Sequence, residues 1–299
     1  MKIVNIFSNG QHIPTLPAVD MLIWAAGLAA WKRLGYALKI YCEPHNLEFL
    51  DHWRLRDFYD EVDTSLLPDN EQIAQVDGKR FWSARKAEVL RNEIAQGNDS
   101  VVADTDIIMF EPLPTDYDLL VWSDEPRTTN GGTIYLDWKQ ISTPPKYVMK
   151  RFVRVCKDAY NCGVLHFKDT HLYELWAQEY YRFVIGNPCK SAVDYGNNVF
   201  ACNSEQRILR ACADYMEARV AKVMPEKKQG LSAAGNHYYW LRAVWRNLPR
   251  IQNDVLRLWL THQLKVLRDL AFKLLEPYPQ TLERFESMEY FQKELTSYQ

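Results

Sequence analysis

Over the first 125 residues, short apolar runs alternate with longer segments of helical spacing. That alternation is the signature of βαβ units building a largely parallel sheet. Ile3 to Phe7 reads as a first strand, ending before the turn pair Asn9-Gly10. Ala18 to Leu34 has the spacing of a helix that stops at Gly35, a residue free to take the left-handed backbone that closes helices. Ala37 to Cys42 reads as a second strand and Asn46 to Leu55 as a short helix. Ser83 is placed to cap a helix that reaches Gln96 and closes at Gly97. Next comes Ser100-Val101-Val102-Ala103, short, apolar and β-branched, the composition of a strand buried on both faces.

Beyond that strand the pattern loosens. Tyr117 to Trp122 and Val164 to Phe167 read as strands, and Thr128 to Thr133 as a loop carrying two glycines. Lys146 to Lys157, Thr170 to Val184 and Glu205 to Val220 have helical spacing, and no internal repeat is visible. The pattern predicts an α/β fold with a mixed, mainly parallel central sheet over residues 1–215, and a mainly helical C-terminal cap over residues 216–299. Trp24 and Trp31, seven residues apart on the first helix, are expected in the core, and packing is also expected for Trp240, Trp245 and Trp259.

Composition narrows the class. A chain of 299 residues that is 47% hydrophobic and 25% charged can bury a full-sized core. A net charge of -2 argues against a nucleic-acid binder, so any anion site must be local. The charge is segregated, however. Between Arg219 and Lys273, eleven Lys and Arg residues face Glu226, Asp254 and Asp269. The six cysteines form no CxxC or CxxH pair, which speaks for reduced thiols and against a zinc ribbon. Met1 to Phe7 lacks the apolar run of a signal peptide, and the apolar stretch Met21 to Trp31 is too short to span a bilayer, so a cytoplasmic protein is expected. Leu256 to Leu275 interleaves Arg257, Lys265, Arg268 and Lys273 with leucines. Such a helix either rests peripherally on an anionic membrane at its inner face or covers the sheet.

Asp104 and Asp106 close the buried strand, at the end where open α/β sheets place their ligands. A turn there lets both carboxylates, with Thr105 between them, reach one hard cation. Asp116-Tyr117-Asp118 has the same spacing but opens a strand, and reads as an exposed loop. Arg85 and Lys86 sit at the positive end of a helix, a cost that a bound anion such as a nucleotide phosphate would reverse.

Val101-Val102-Ala103-Asp104-Thr105-Asp106, then Asn161-Cys162-Gly163-Val164-Leu165, then Glu205-Gln206-Arg207-Ile208-Leu209, in this order, resemble the nucleotide-diphospho-sugar glycosyltransferases of the GT-A fold. Among these, family 8 and its capsular-polysaccharide relatives are the nearest in pattern, over about residues 1 to 270. The resemblance implies a metal-dependent hexosyltransferase that uses a nucleotide-sugar donor, UDP-linked first among them, and a carbohydrate-containing acceptor, with retention of configuration. It makes Asp104 and Asp106 ligands of Mn²⁺ or Mg²⁺, places Asn161 and Gly163 on the donor sugar, and puts Glu205 and Gln206 beneath the anomeric centre. Ser8, Asn9, Arg85, Lys86, Thr105 and Lys265 complete the expected donor site. The third metal ligand is expected at His262, with His237 as competitor. Cys162, Glu205 and Arg207 depart from the family pattern. The altered residues Cys162, Arg207 and Leu264 make a glycosyltransferase-like binding protein without turnover the alternative, ahead of a sugar-nucleotide pyrophosphorylase, whose Gly-rich loop after the first strand is missing. Asp124 and Glu125 are the candidates for a base if the reaction inverts.

Overall fold

A computed structural model describes residues 1–7, 18–66, 82–126, 128–129, 132–133, 141–154, 158–187, 202–224, 235–238 and 253–287. In chain order the elements are β1 (Lys2–Phe7), α1 (Ala18–Arg33), β2 (Ala37–Cys42), α2 (Leu47–His52), β3 (Glu61–Asp63), α3 (Trp82–Ala95), β4 (Ser100–Ala103), β5 (Ile107–Met109) and β6 (Leu119–Pro126). There follow β7 (Thr128–Thr129), β8 (Gly132–Thr133), α4 (Met149–Arg154), β9 (Asp158–Phe167), α5 (Thr170–Gly186), α6 (Ile208–Met216), β10 (Val220–Lys222), β11 (Gly235–His237), α7 (Asp254–Leu275) and α8 (Pro279–Glu286).

The central sheet has seven strands in the order β10-β6-β9-β4-β1-β2-β3. β9 runs antiparallel to both its neighbours, β4 and β6, and the remaining pairings are parallel. The sheet is therefore mixed and mainly parallel. Its layering follows from the two-residue period of strands. Ile3, Leu38, Ile40, Val101, Ala103, Leu120 and Val164 pack with α1 and α7 on one face. Val4, Tyr41, Val102, Leu119, Val121 and Leu165 pack with α3, α5 and α6 on the other. Both faces are covered, so β4 has no exposed residue, as its apolar run implies.

α1 is apolar all round because it is covered all round. Trp24 and Trp31 are both buried, and Trp24 Nε1 donates to the Tyr59 hydroxyl at 2.9 Å. Gly27 allows the helix to reach β5, since a Cβ there would fall 2.4 Å from the Ile107 carbonyl oxygen. Gly35 and Gly97 follow α1 and α3 with φ of +83° and +71°, the left-handed closure read from the sequence.

Several elements depart from expectation. β9 starts at Asp158, so Asn161-Cys162-Gly163 lies within a strand that the apolar run at Val164 only partly signals. The helical pattern from Glu205 is split into a π-helical turn over Cys202–Arg207 and α6. α6 ends at Glu217, whose left-handed backbone (φ 54°) makes room for β10 without a glycine. Ser83 lies in the first turn of α3, where its hydroxyl meets that of Tyr180 at 3.0 Å. The residues after 216 add β10 to the sheet edge, pair β11 with β5, and lay α7 against α1. Among the described residues no helix is long and apolar enough to cross a membrane. Cys42, Cys162 and Cys212 are buried free thiols.

Candidate metal centre and the charges behind it

The end of β4 is held from three sides. Asn5 Nδ2 donates to the Ala103 carbonyl at 2.8 Å, the Asp104 amide donates to the Gly163 carbonyl at 2.8 Å, and the Tyr238 amide donates to the Asp106 carbonyl at 2.9 Å. The last contact extends the β5–β11 ribbon, in which His237 pairs with Ile107. A short strand from far along the chain is thereby brought onto the turn between the two aspartates.

This ribbon brings the His237 ring to the carboxylates. Its Nε2 lies 3.1 Å from Asp106 Oδ1 and 4.0 Å from Asp104 Oδ2. One ligand atom from each of the three side chains falls within 4.8 Å of the others. Neighbouring ligands on a six-coordinate ion with bonds of about 2.1 Å are separated by roughly 3 Å, and opposite ones by roughly 4 Å. Two carboxylates and an imidazole on that scale could hold a divalent cation. Asp106 is buried and Asp104 is one-third exposed, so the site is closed on the protein side and open on the other. The His237 ring also stands edge-on to Trp122, with centroids 5.6 Å apart. Trp122 lies on the same face of β6 as Leu120, as the two-residue period of a strand places it, next to the β6–β9 register shift between Val121 and Ser123.

His262, expected as third ligand, is exposed on α7. The correction has a simple cause: Leu260, Leu264 and Leu267 take the buried face of that helix, so a residue two positions after Leu260 faces outward. Lys265 is exposed on the same helix. Ser8 and Asn9 lie outside the described residues. Thr105 is half-buried between the aspartates.

Lys86 lies directly behind the pair. Its Nζ is 3.0 Å from Asp104 Oδ1, 3.0 Å from Glu205 Oε1 and 2.9 Å from the Cys162 carbonyl oxygen. Two carboxylates and one carbonyl oxygen thus surround the ammonium. Burial would lower the Lys86 pKa, but the adjoining Asp104 and Glu205 outweigh it and raise it, so the charge is kept. Glu205 is 1% exposed, and burial raises its pKa against the pull of Lys86. Arg85 is likewise turned inward, 2.5 Å from Glu43 Oε1. Both cations at the start of α3 thus face carboxylates of the protein.

Glu205 and Gln206 occupy the π-helical turn, anchored by the Trp176 indole, which donates to the Glu205 carbonyl oxygen at 3.3 Å. Gln206 is half-buried, and its Oε1 accepts no hydrogen bond among the described residues. Arg207 is directed away from the centre: it lies over the Phe152 ring, bonding the Phe152 carbonyl and Asn203. Asn161 Oδ1 accepts from the Gly163 amide at 2.9 Å. Asp124 faces Lys222 at 2.6 Å and Arg210 at 3.3 Å, an arrangement that suits a structural carboxylate better than a base. In the second acidic pair, Asp116 and Asp118 both meet the Arg219 guanidinium, which balances their charge without a metal ion.

His237 carried little signal in the sequence. Its strand is three residues long, with no period to read, while His262 stood among cations that suggested a phosphate. The Lys86–Glu205 contact links two segments with no shared pattern.

No family model and no curated protein matches the sequence. Among solved structures, one titled PaToxG Glycosyltransferase aligns over 96% of this chain and 85% of its own, at 11% identity and a TM-score of 0.32. That likeness is too distant to argue from.

Proposed function

We propose that this protein is a metal-dependent glycosyltransferase of the GT-A kind, taking a hexose from a nucleoside-diphosphate sugar, UDP-linked first among candidates, to a carbohydrate-containing acceptor. The observation that carries the reading is the meeting of Asp104, Asp106 and His237 at the open end of β4, with Lys86 and Glu205 directly behind. Two carboxylates and an imidazole would hold a hard cation able to offset the charge of a diphosphate, and they lie at the sheet end where α/β folds bind nucleotides.

A divalent cation such as Mn²⁺ or Mg²⁺, if bound there, would supply neutralisation of the charge that gathers on a departing diphosphate. The protein supplies the rest. Asp104, Asp106 and His237 would hold the ion. Lys86 fixes the Asp104 carboxylate and keeps positive charge close by without transferring a proton. Gln206 and Glu205, on the turn behind Asp104, are assigned to stabilising the positive charge that develops at the anomeric carbon. The bond from C1 to the diphosphate oxygen breaks with its electron pair leaving on oxygen. The acceptor oxygen bonds C1 on the same face and passes its proton to the departing phosphate, so configuration is retained. The ion pairs that hold Asp124 occupy one of the two carboxylates that an inverting reaction could use as its base.

The test is incubation of the purified protein with UDP- and GDP-sugars, with and without Mn²⁺, following release of nucleoside diphosphate. Metal-dependent release that Asp106→Ala abolishes is expected. Donor binding without release or transfer across a broad acceptor panel would favour a binding protein. Absence of both donor binding and metal binding would end the assignment.

Peripheral contact with an anionic bilayer belongs to the same reading. The leucines Leu260, Leu264, Leu267 and Leu274 of α7 are buried, so the apolar stripe read from the sequence faces the core. Val255, Leu256, Leu258 and Trp259 at the start of the helix remain exposed, followed by the exposed Lys265. Sedimentation with phosphatidylcholine vesicles, with and without phosphatidylglycerol, tests it: binding to anionic vesicles that Trp259→Ala weakens is expected, and equal indifference to both overturns it.

A further inference from the structure

We infer that Gly163 is the seat of the His237 ring: the absence of a side chain there holds the imidazole at the acidic pair, making Gly163 a positioning residue for divalent-cation binding. The inference rests on the metal site proposed above and assigns Gly163 a role other than sugar contact. Gly163 lies inside β9 and is not among the residues with positive φ, so its backbone does not call for glycine. The space beside it does. A Cβ would fall 2.8 Å from His237 Cε1, 3.0 Å from His237 Nδ1 and 3.0 Å from Asn161 Oδ1. Carbon atoms in contact settle at about 3.5 to 4.0 Å, so the ring would have to move.

The ring has little room to do so. Its backbone is locked by the β5–β11 ladder and by the neighbouring bond from the Tyr238 amide to Asp106, and Trp122 stands edge-on against the ring. A methyl group at position 163 therefore turns Nε2 away from Asp106. The same residue holds the other partner in place, because its carbonyl accepts the Asp104 amide at 2.8 Å while its own amide is bonded by Asn161. One glycine thus aligns a carboxylate through its backbone and an imidazole through the space it leaves. Partners that orient a metal ligand without touching the ion typically change affinity by about 10- to 100-fold when altered.

The test is a double-mutant cycle in Mn²⁺ affinity, measured without donor by the electron paramagnetic resonance of free Mn²⁺. Gly163→Ala should weaken binding by about 10- to 100-fold. His237→Ala should weaken it at least as much, and the double variant no further than His237→Ala alone. A Gly163→Ala protein that binds like the wild type, or losses that multiply in the double variant, would overturn the inference. Should the wild type bind no Mn²⁺, the metal reading fails, and the seat is judged separately by the His237 ring resonances, identified by their loss in His237→Ala. These should shift in Gly163→Ala while those of the exposed His262 stay; unmoved His237 signals overturn the seat. If Gly163→Ala folds poorly, removal of the ring in the double variant should restore folding, and failure to do so counts equally against it.

Discussion

The ammonium of Lys86 stands 3.0 Å from a carboxylate oxygen of Glu205, and both side chains are buried. Asp104 lies on the other side of the same ammonium at 3.0 Å, so one cation ties the acidic turn after β4 to the π-helical turn before α6. Breaking a buried pair from one side is costly because the remaining charge has no water to turn to. Lys86→Met is accordingly expected to lose about 3–5 kcal/mol in urea unfolding. Lys86→Met combined with Glu205→Gln should recover most of that loss. Equal stability of the single and double variants would show that the pair does not act as one unit.

The metal reading separates the two acidic pairs. Asp104→Asn, Asp106→Asn and His237→Ala should each weaken Mn²⁺ binding at least about tenfold. Asp116→Asn with Asp118→Asn should leave it unchanged, since Arg219 already meets both carboxylates. His262→Ala should also leave it unchanged. Isothermal titration of the five proteins decides the matter, and loss of affinity in the Asp116/Asp118 variant would point to the wrong pair.

Glu93 makes stability sensitive to acid. Burial pushes its pKa up, but hydrogen bonds from Ser100, Tyr41 and Lys39 override this and hold it below the ordinary 4.5. Ser100 Oγ lies 2.5 Å from one oxygen, and Tyr41 Oη and Lys39 Nζ lie 2.5 and 2.9 Å from the other. A carboxylate whose pKa is lower folded than unfolded contributes stability that is full above the unfolded value and vanishes as pH falls through the folded one. Urea midpoints of the wild type should therefore drop below pH 4.5, while Glu93→Gln should be less stable at neutral pH and flatter in acid. Parallel acid limbs in the two proteins would contradict this.

Gly27 tests the contact of α1 with β5. A Cβ 2.4 Å from the Ile107 carbonyl has only backbone to displace. Gly27→Ala, favourable in an ordinary helix, is expected to destabilise by about 1–3 kcal/mol in thermal or urea unfolding. A gain in stability would mean that the helix stands further from the strand.

Much of the fold was legible because its causes are local. A β-branched run such as Ser100 to Ala103 carries its buried strand in its own composition, Gly35 closes a helix wherever it stands, and two aspartates after a buried strand are placed at a ligand-binding edge by chain direction alone. Trp24 and Trp31 followed from one helical period. Contacts between distant segments left no such mark. β11 is too short to show a period, so only its pairing with β5 brings His237 to Asp106; the outward turn of His262 depends on which leucines α7 buries; and Lys86 meets Glu205 because β9 and the π-helical turn come to lie against α3. Local periodicity sets the elements and the end of the sheet where ligands gather, but the choice of partner for each charged or ligating group rests on distances across the sheet, which nothing along the chain encodes in a readable pattern.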